Sequence, residues 1–393
     1  MRKLLFLAAL AALLYHLLAP QWRSFDRMGE QRFRALSCPG KEILVGISWP
    51  NSMNQDGMYD GLELAKEEIN AGGLAGGLPV RLVYRDCGFD WEANKQAAIA
   101  FADTPEMSAV IGYYQDSAAI KAEAIYEPAR LLCLLTGANS TAMTQRGAQY
   151  LVRTVVANDK IARSLAQMTV ARGYRKFALV TEQEAFGEDL AYHYRVAMDN
   201  LDTDLAYQTS YPVDRADFHM AVNALKEVDA DVILFAGIEP QAGDFLRMAR
   251  AVGLKTPIIG AYSDTPEMRE RSGPALEGAM FFDYYDVADP APENQTFVRK
   301  FRTRFGKDPD AEAAQGYDAL FILANAARFT GSRNPLDLSY AIRFMDPWEG
   351  ANGRYKFDSR GELEDKPIFL NVYRNGAPVT IEESRPIPAP KIQ

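Results

Sequence analysis

The sequence predicts an α/β protein of two doubly wound, parallel-sheet lobes of Rossmann-like kind, with a ligand cleft between them. Three observations carry this reading. Short apolar runs alternate with segments of helical periodicity. The runs are continuously apolar rather than alternating, which marks parallel strands covered on both faces. The same rhythm restarts after about residue 160, in a chain of 393 residues that is too long for one ordinary core and suits two.

The elements follow in order. "EILVGISW" is a strand, and "GMYDGLELAKEEINA" is a helix, because Met58, Leu62, Ala65 and Ile69 share one face with acidic residues opposite. "GGLAGG" is a turn, "LPVRLVYRDC" a strand and "WEANKQAAIAFADT" a helix. "MSAVIGYY" is a strand, "SAAIKAEAIYEPA" a helix and "LLCLLTGA" a strand. The second round has helices at "ARSLAQMTVARG", "GEDLAYHYRVAMDNL", "FHMAVNALKEVDA" and "PQAGDFLRMARAVG". Its strands are "KFALVTEQ", "LAYQTSYP", "DVILFAGI" and "PIIGAYS". Then come a strand "AMFFDYYDV", helices "NQTFVRKFRTRFG" and "QGYDALFILANAARF", and a late strand "KPIFLNVYRNG".

The chain is 48% hydrophobic and 24% charged, values of a globular protein, and its net charge of −9 argues against nucleic acid as a partner. Its three cysteines cannot all pair within one chain; no Cys/His cluster suggests a metal, and Cys133 in "LLCLLT" reads as a core residue. The start, "MRK" followed by the apolar run at residues 4–19, is the pattern of an export signal or an uncleaved membrane anchor (residues 1–20), with residues 21–40 expected as a polar linker.

In open parallel sheets ligands sit beyond the carboxyl ends of the strands. The first round places "SWPNSMNQD", "YYQDS" and "TGANST" there; the second places "TEQEAFGE", "AGIEPQ" and "GAYSD". The candidate binding residues among these are Trp49, Asn54, Tyr113, Tyr114, Asp116, Ser117, Gly137, Ala138, Asn139, Phe186, Glu239, Tyr262 and Asp264. No Lys or Arg occurs in the six loops, which argues against a phosphorylated ligand. Catalysis is not expected. His16 falls in the apolar run, His193 and His219 fall in helical patterns, and no GxSxG elbow is present. "GGLAGG" follows a helix and precedes a strand, the reverse of a phosphate-cradling loop. Asp116 has a second reading, as N-cap of the helix starting near Ser117.

"GLELAKEEINAGG", "LPVRLVYRD", "VIGYY", "ANSTAMTQRGAQYLVRT", "EQEAFGEDLA", "LFAGIEPQAGDFLRMARAVGLKTPIIG" and "AAQGYDAL", taken together and in order, resemble the leucine/isoleucine/valine-type solute-binding proteins of branched-chain amino-acid ABC transporters. The resemblance runs from about Glu42 to about Gly376. It implies a type I periplasmic-binding fold, with three crossovers and hinge closure on the ligand. It divides the chain into a first lobe (41–156 and 284–345), a second lobe (157–283 and 346–378) and an irregular tail (379–393). It also implies binding roles. Asp116 falls where the family has a serine, and Asn139 where it has a threonine, for the ligand α-carboxylate. Tyr262 falls at the ammonium position with Asp264 two residues on, Phe186 matches the cleft aromatic, and Gln115 replaces one member of a cysteine pair. A one-residue shift would put Ser117 in the hydroxyl role, with Ser140 and Thr141 following Asn139. Otherwise Asp116, with Glu239 or Asp264, points to an amide, amine or other polar ligand.

The expected function is therefore extracytoplasmic capture of a small polar ligand, an amino acid or related amide or amine, for delivery to an ABC permease. No enzymatic activity, cofactor or metal is expected. The alternative is a sensing module of the same fold that reports to a membrane signalling partner.

Overall fold

The computed structural model describes residues 25–38, 40–50, 57–261 and 264–384. The export or anchor segment and the last nine residues lie outside these. Among the described residues no helix is long and apolar enough to cross a membrane.

Two sheets dominate. The first has the order β2-β1-β3-β4-β5 and is parallel throughout. Its strands are β1 (Ile43–Trp49), β2 (Val80–Asp86), β3 (Met107–Gly112), β4 (Leu132–Leu135) and β5 (Leu151–Arg153). Every residue of β1, β3 and β4 is buried, as continuous apolar runs between two helical layers require. The second sheet has the order β14-β13-β10-β9-β8-β6-β7. Its parallel part is β6 (Lys176–Glu182), β7 (Asp204–Tyr211), β8 (Val232–Ala236), β9 (Ile258–Gly260) and β10 (Met280–Asp283). β13 (Phe369–Arg374) and β14 (Ala377–Glu383) add antiparallel edges.

The helices that position the cleft start just past strand ends: α4 (Asp116–Tyr126) after β3, α7 (Ala185–Asp199) after β6, and α9 (Gln241–Ala251) after β8. α12 (Ala311–Thr330) returns to the first lobe and packs on α2 (Met58–Gly72) so closely that a Cβ on Gly61 would stand 2.0 Å from the Ala313 carbonyl oxygen. The chain passes between lobes after β5, after β10 and again before β13, three crossovers in all.

The structure departs from the sequence reading in three places. Residues 25–37, expected as linker, form a helix, α1. Its Arg32 is buried and donates to carbonyls at the ends of the first-lobe helices, including Phe101 (3.2 Å), Ala102 (2.6 Å) and Thr104 (3.0 Å), and to Met107 (3.1 Å). Helix ends leave orphan carbonyls, and one guanidinium answers several of them. Residues 348–363, expected with the second lobe, contribute Ala351, Tyr355, Phe357 and Leu363 to the first-lobe core. Residues 379–383, expected as irregular tail, belong to β14. The Asn375-Gly376 turn, with φ of 55° and 78°, is the left-handed pair that closes a two-residue hairpin.

Candidate functional site

The carboxyl ends of both sheets face one cavity of about 350 Å³, in the range of small-molecule sites. The first lobe contributes Trp49 from the end of β1, and Tyr114, Gln115, Asp116 and Ser117 from the β3–α4 junction. Thr136, Gly137 and Asn139 follow β4, and Ala311, Glu312 and Gln315 come from the start of α12. The second lobe contributes Glu182, Glu184, Ala185 and Phe186 around the β6–α7 turn, and Ile238 to Gln241 before and into α9. Phe282, Asp283 and Tyr284 come from the end of β10 and the residue beyond it.

One wall is aromatic. Trp49 meets Tyr114 edge-to-face at 5.5 Å, and Phe89 meets Tyr114 at 6.1 Å. The lobes touch through this wall, because the Tyr114 hydroxyl donates to Glu239 Oε1 at 2.9 Å. Nearer the crossovers, Asp189 of α7 accepts from the Thr141 backbone N–H (2.9 Å) and from Asn158 Nδ2 (3.1 Å). Gly137 is required where the wall is tightest: a Cβ there would lie 2.8 Å from the Tyr113 carbonyl oxygen and 3.0 Å from the Trp49 ring.

Asp116 is 3% exposed. Its Oδ1 accepts the Asn139 backbone N–H at 2.5 Å; the Ser140 N–H also acts on the carboxyl, but no donor among the described residues completes a hydrogen bond to Oδ2. Burial pushes its carboxyl up to about 6, against the lowering effects of the Ser140 and Asn139 N–H groups and of Arg153. Asp116 is the first residue of α4; Gln115 is the N-cap, and no side chain caps that end. The N-cap reading is thereby corrected: the carboxylate ties α4 to the loop after β4. Glu182 Oε2 accepts the Ile238 N–H at 3.2 Å, and burial pushes Glu182 up to about 7. Asp283 Oδ1 accepts the N–H groups of Tyr284 (2.7 Å) and Tyr285 (3.3 Å), and burial pushes it up to about 7 as well.

Of the residues singled out from the sequence, Trp49, Tyr114, Asp116, Ser117, Gly137, Asn139, Phe186 and Glu239 line the cavity. Tyr113 does not: it is buried behind the wall, with its hydroxyl 2.6 Å from that of Tyr126. Ala138 is buried in the same core. Asp264 is held outside by Arg269 (Nε to Oδ1, 2.7 Å) and by the Tyr373 hydroxyl. Asn54 and Tyr262 lie outside the described residues. The Asn139 amide is engaged with the Val156 carbonyl (2.7 Å), which ties it to the crossover region. Sequence reading missed Glu182, Asp283, Tyr284, Glu312 and Phe89. Glu182 and Asp283 are the last residues of β6 and β10, a position the sequence marks; nothing local marks Phe89 or Glu312, which the fold brings in.

The lining includes seven carboxyls, Asp116, Glu182, Glu184, Glu239, Glu267, Asp283 and Glu312, and no Lys, Arg or His among the described residues. Glu267 is paired with Arg271 at 3.3 Å. No group of three or more metal-ligating side chains is placed to hold an ion among the described residues.

The sequence profile described as "Periplasmic binding protein" matches residues 43–374. The Leu/Ile/Val-binding protein homolog 2 of Brucella abortus (strain 2308) is 27% identical over 342 residues, covering 85% of this chain and 91% of that protein. The leucine-specific-binding protein of Salmonella typhimurium is 27% identical over 332 residues, covering 82% and 88%. An ABC transporter substrate-binding protein from Desulfitobacterium hafniense, solved in complex with Leu, superposes with a TM-score of 0.78 at 28% identity, covering 86% of this chain and 100% of that one. A leucine binding protein from Thermotoga maritima shares the fold, with a TM-score of 0.81 at 22% identity over 88% and 99%. These structures share the two-lobed fold of this chain, and the chain belongs to the periplasmic binding protein family.

Proposed function

We propose that the protein is an extracytoplasmic solute-binding protein that captures a small polar ligand, an amino acid or related amide or amine, and delivers it to an ABC permease without chemical turnover. The observation that carries this is the cavity at the junction of two lobes, bridged from Tyr114 to Glu239. A site split between lobes couples occupancy to closure, which is what a partner must read to distinguish loaded from empty protein. Relatives solved or named as leucine, isoleucine and valine binders support the transport role. The apolar run at residues 4–19 supports export, with retention as an anchor the favoured fate.

The test is a thermal-shift screen of protein stripped of ligand by a denature–refold step, against amino acids, amides, ureas, polyamines and small carboxylates. A true ligand at about a hundred times its Kd adds about 2.7 kcal/mol and raises Tm by degrees. A screen in which none of these classes shifts Tm sinks the reading.

A further inference from the structure

The identity of the ligand's charged groups can be taken further, on the assumption that the cavity is a solute site. We propose that the cleft selects a small organic ammonium with an apolar stem and no carboxylate, and rejects the zwitterionic α-amino acids. A ligand carboxylate would need hydrogen-bond donors or positive charge in the cavity wall. Helix N-termini are the natural anion sites of such a cleft, because their free N–H groups and dipoles point outward. Four helices begin at this cavity, and each start carries one of the chain's own carboxyls into the lining. Asp116 is the first residue of α4, Glu184 is the N-cap of α7, Glu239 precedes the N-cap of α9, and Glu312 lies in the first turn of α12. An incoming carboxylate would meet a like charge at every one of them.

The second observation is independent. Asp116 lines the cavity and is itself buried, and its Oδ2 makes no hydrogen bond among the described residues. A buried acceptor without a donor is costly, and a charged N–H donor satisfies it best. Arg153, the cation whose charge acts on Asp116, is buried and already engaged with Glu362 at 3.2 Å. The third observation is the aromatic wall. The rings of Trp49, Tyr114 and Phe89 suit an alkyl stem, and an aromatic face attracts a cation.

The test is isothermal titration of the full chain, stripped by denature–refold, at about pH 8, above the value of about 6 to which burial raises Asp116. The probes are matched in length: butane-1,4-diamine, butylamine, butyramide and 4-aminobutyrate, with leucine added. The expected result is that an amine binds at least ~30-fold more tightly than butyramide, 4-aminobutyrate and leucine, as a charge-assisted bond requires. That affinity should fall several-fold between about 50 and 500 mM salt. Asp116→Asn, which keeps an acceptor for the Asn139 N–H and removes the buried charge, should weaken the amine at least ~10-fold while the Tm of the empty protein holds or rises. If that variant does not fold, Glu182→Gln takes its place and should give a loss of the same order. Tightest binding of leucine or 4-aminobutyrate, or equal binding of butyramide and butylamine, overturns the ammonium reading and leaves the solute-binding reading intact. If the wider screen of amino acids, amides and amines is also silent, both fall.

Discussion

The hydroxyl of Tyr114, in the loop after β3 of the first lobe, donates to the carboxylate of Glu239, which precedes α9 in the second, at 2.9 Å. This bond joins the lobes beside the cavity, so a hinge opening of the cleft would have to break it. Tyr114→Phe should leave the lobes folded but favour the open form. A hydrogen bond to a charged group is worth about 1.5–3 kcal/mol, so ligand affinity should fall by roughly 10- to 100-fold. Titration calorimetry of the variant measures this, with most of the change in the dissociation rate. Unaltered affinity would mean that the bond contributes nothing to closure.

Three buried carboxyls, Asp116 at about 6 and Glu182 and Asp283 at about 7, are raised above their unfolded values by burial. The folded protein therefore binds protons that the unfolded chain has released between about pH 4 and 7. Its stability should rise as pH falls through that window. Carboxyls held low, such as Asp231 under the backbone N–H groups of Arg175 and Lys176, lose their contribution only below their unfolded value, near pH 4. The empty protein should thus melt a few degrees higher at about pH 5 than at about pH 8. A flat or opposite profile in differential scanning calorimetry would contradict the burial of these groups.

Gly187 lies in the first turn of α7, against the cavity-lining Glu182. A Cβ there would lie 2.4 Å from Glu182 Cγ and 2.5 Å from the Ala236 carbonyl oxygen. Gly187→Ala should force Glu182 from its bond to Ile238 and cost about 1–3 kcal/mol by overpacking. Urea denaturation reads the stability, and calorimetry should show weakened ligand binding in the same variant.

Arg32 fastens α1 to the first lobe through several main-chain carbonyls, and burial lowers its own pKa to about 10. Arg32→Ala leaves those carbonyls without a donor in a place water reaches poorly. The expected cost is about 2–4 kcal/mol, with faster amide hydrogen exchange concentrated in α1 and at the ends of the helices it seals. Exchange spread evenly over both lobes would argue against a local strap.

Much of the fold was legible because parallel strands covered on both faces must be continuously apolar. "ILVGISW" and "VILFA" therefore announce β1 and β8 without reference to anything distant. The helices that open the cleft were equally legible, each following a strand end rich in polar groups. What escaped were elements held by distant partners. α1 reads as a polar segment because its partners are distant: Arg32 donates to carbonyls 69 to 97 residues away, and the Ala35 carbonyl accepts from Arg333. β14 is mostly exposed along its length and takes its order from pairing with β13.

The site divides the same way. Sequence alone determined a two-lobed α/β protein of the periplasmic binding family with an acidic, aromatic cleft free of basic residues in its loops, since those properties are set residue by residue along the chain. Tertiary structure decided which of those residues meet. It turned Tyr113 into the core and Tyr114 into the cleft, set Asp264 against Arg269 instead of the cavity, and drew Glu182, Asp283 and Glu312 to one place. Strand alternation points neighbouring side chains to opposite faces, and crossovers bring distant strand ends together; neither the face nor the meeting is decided until the sheets have closed on their cores.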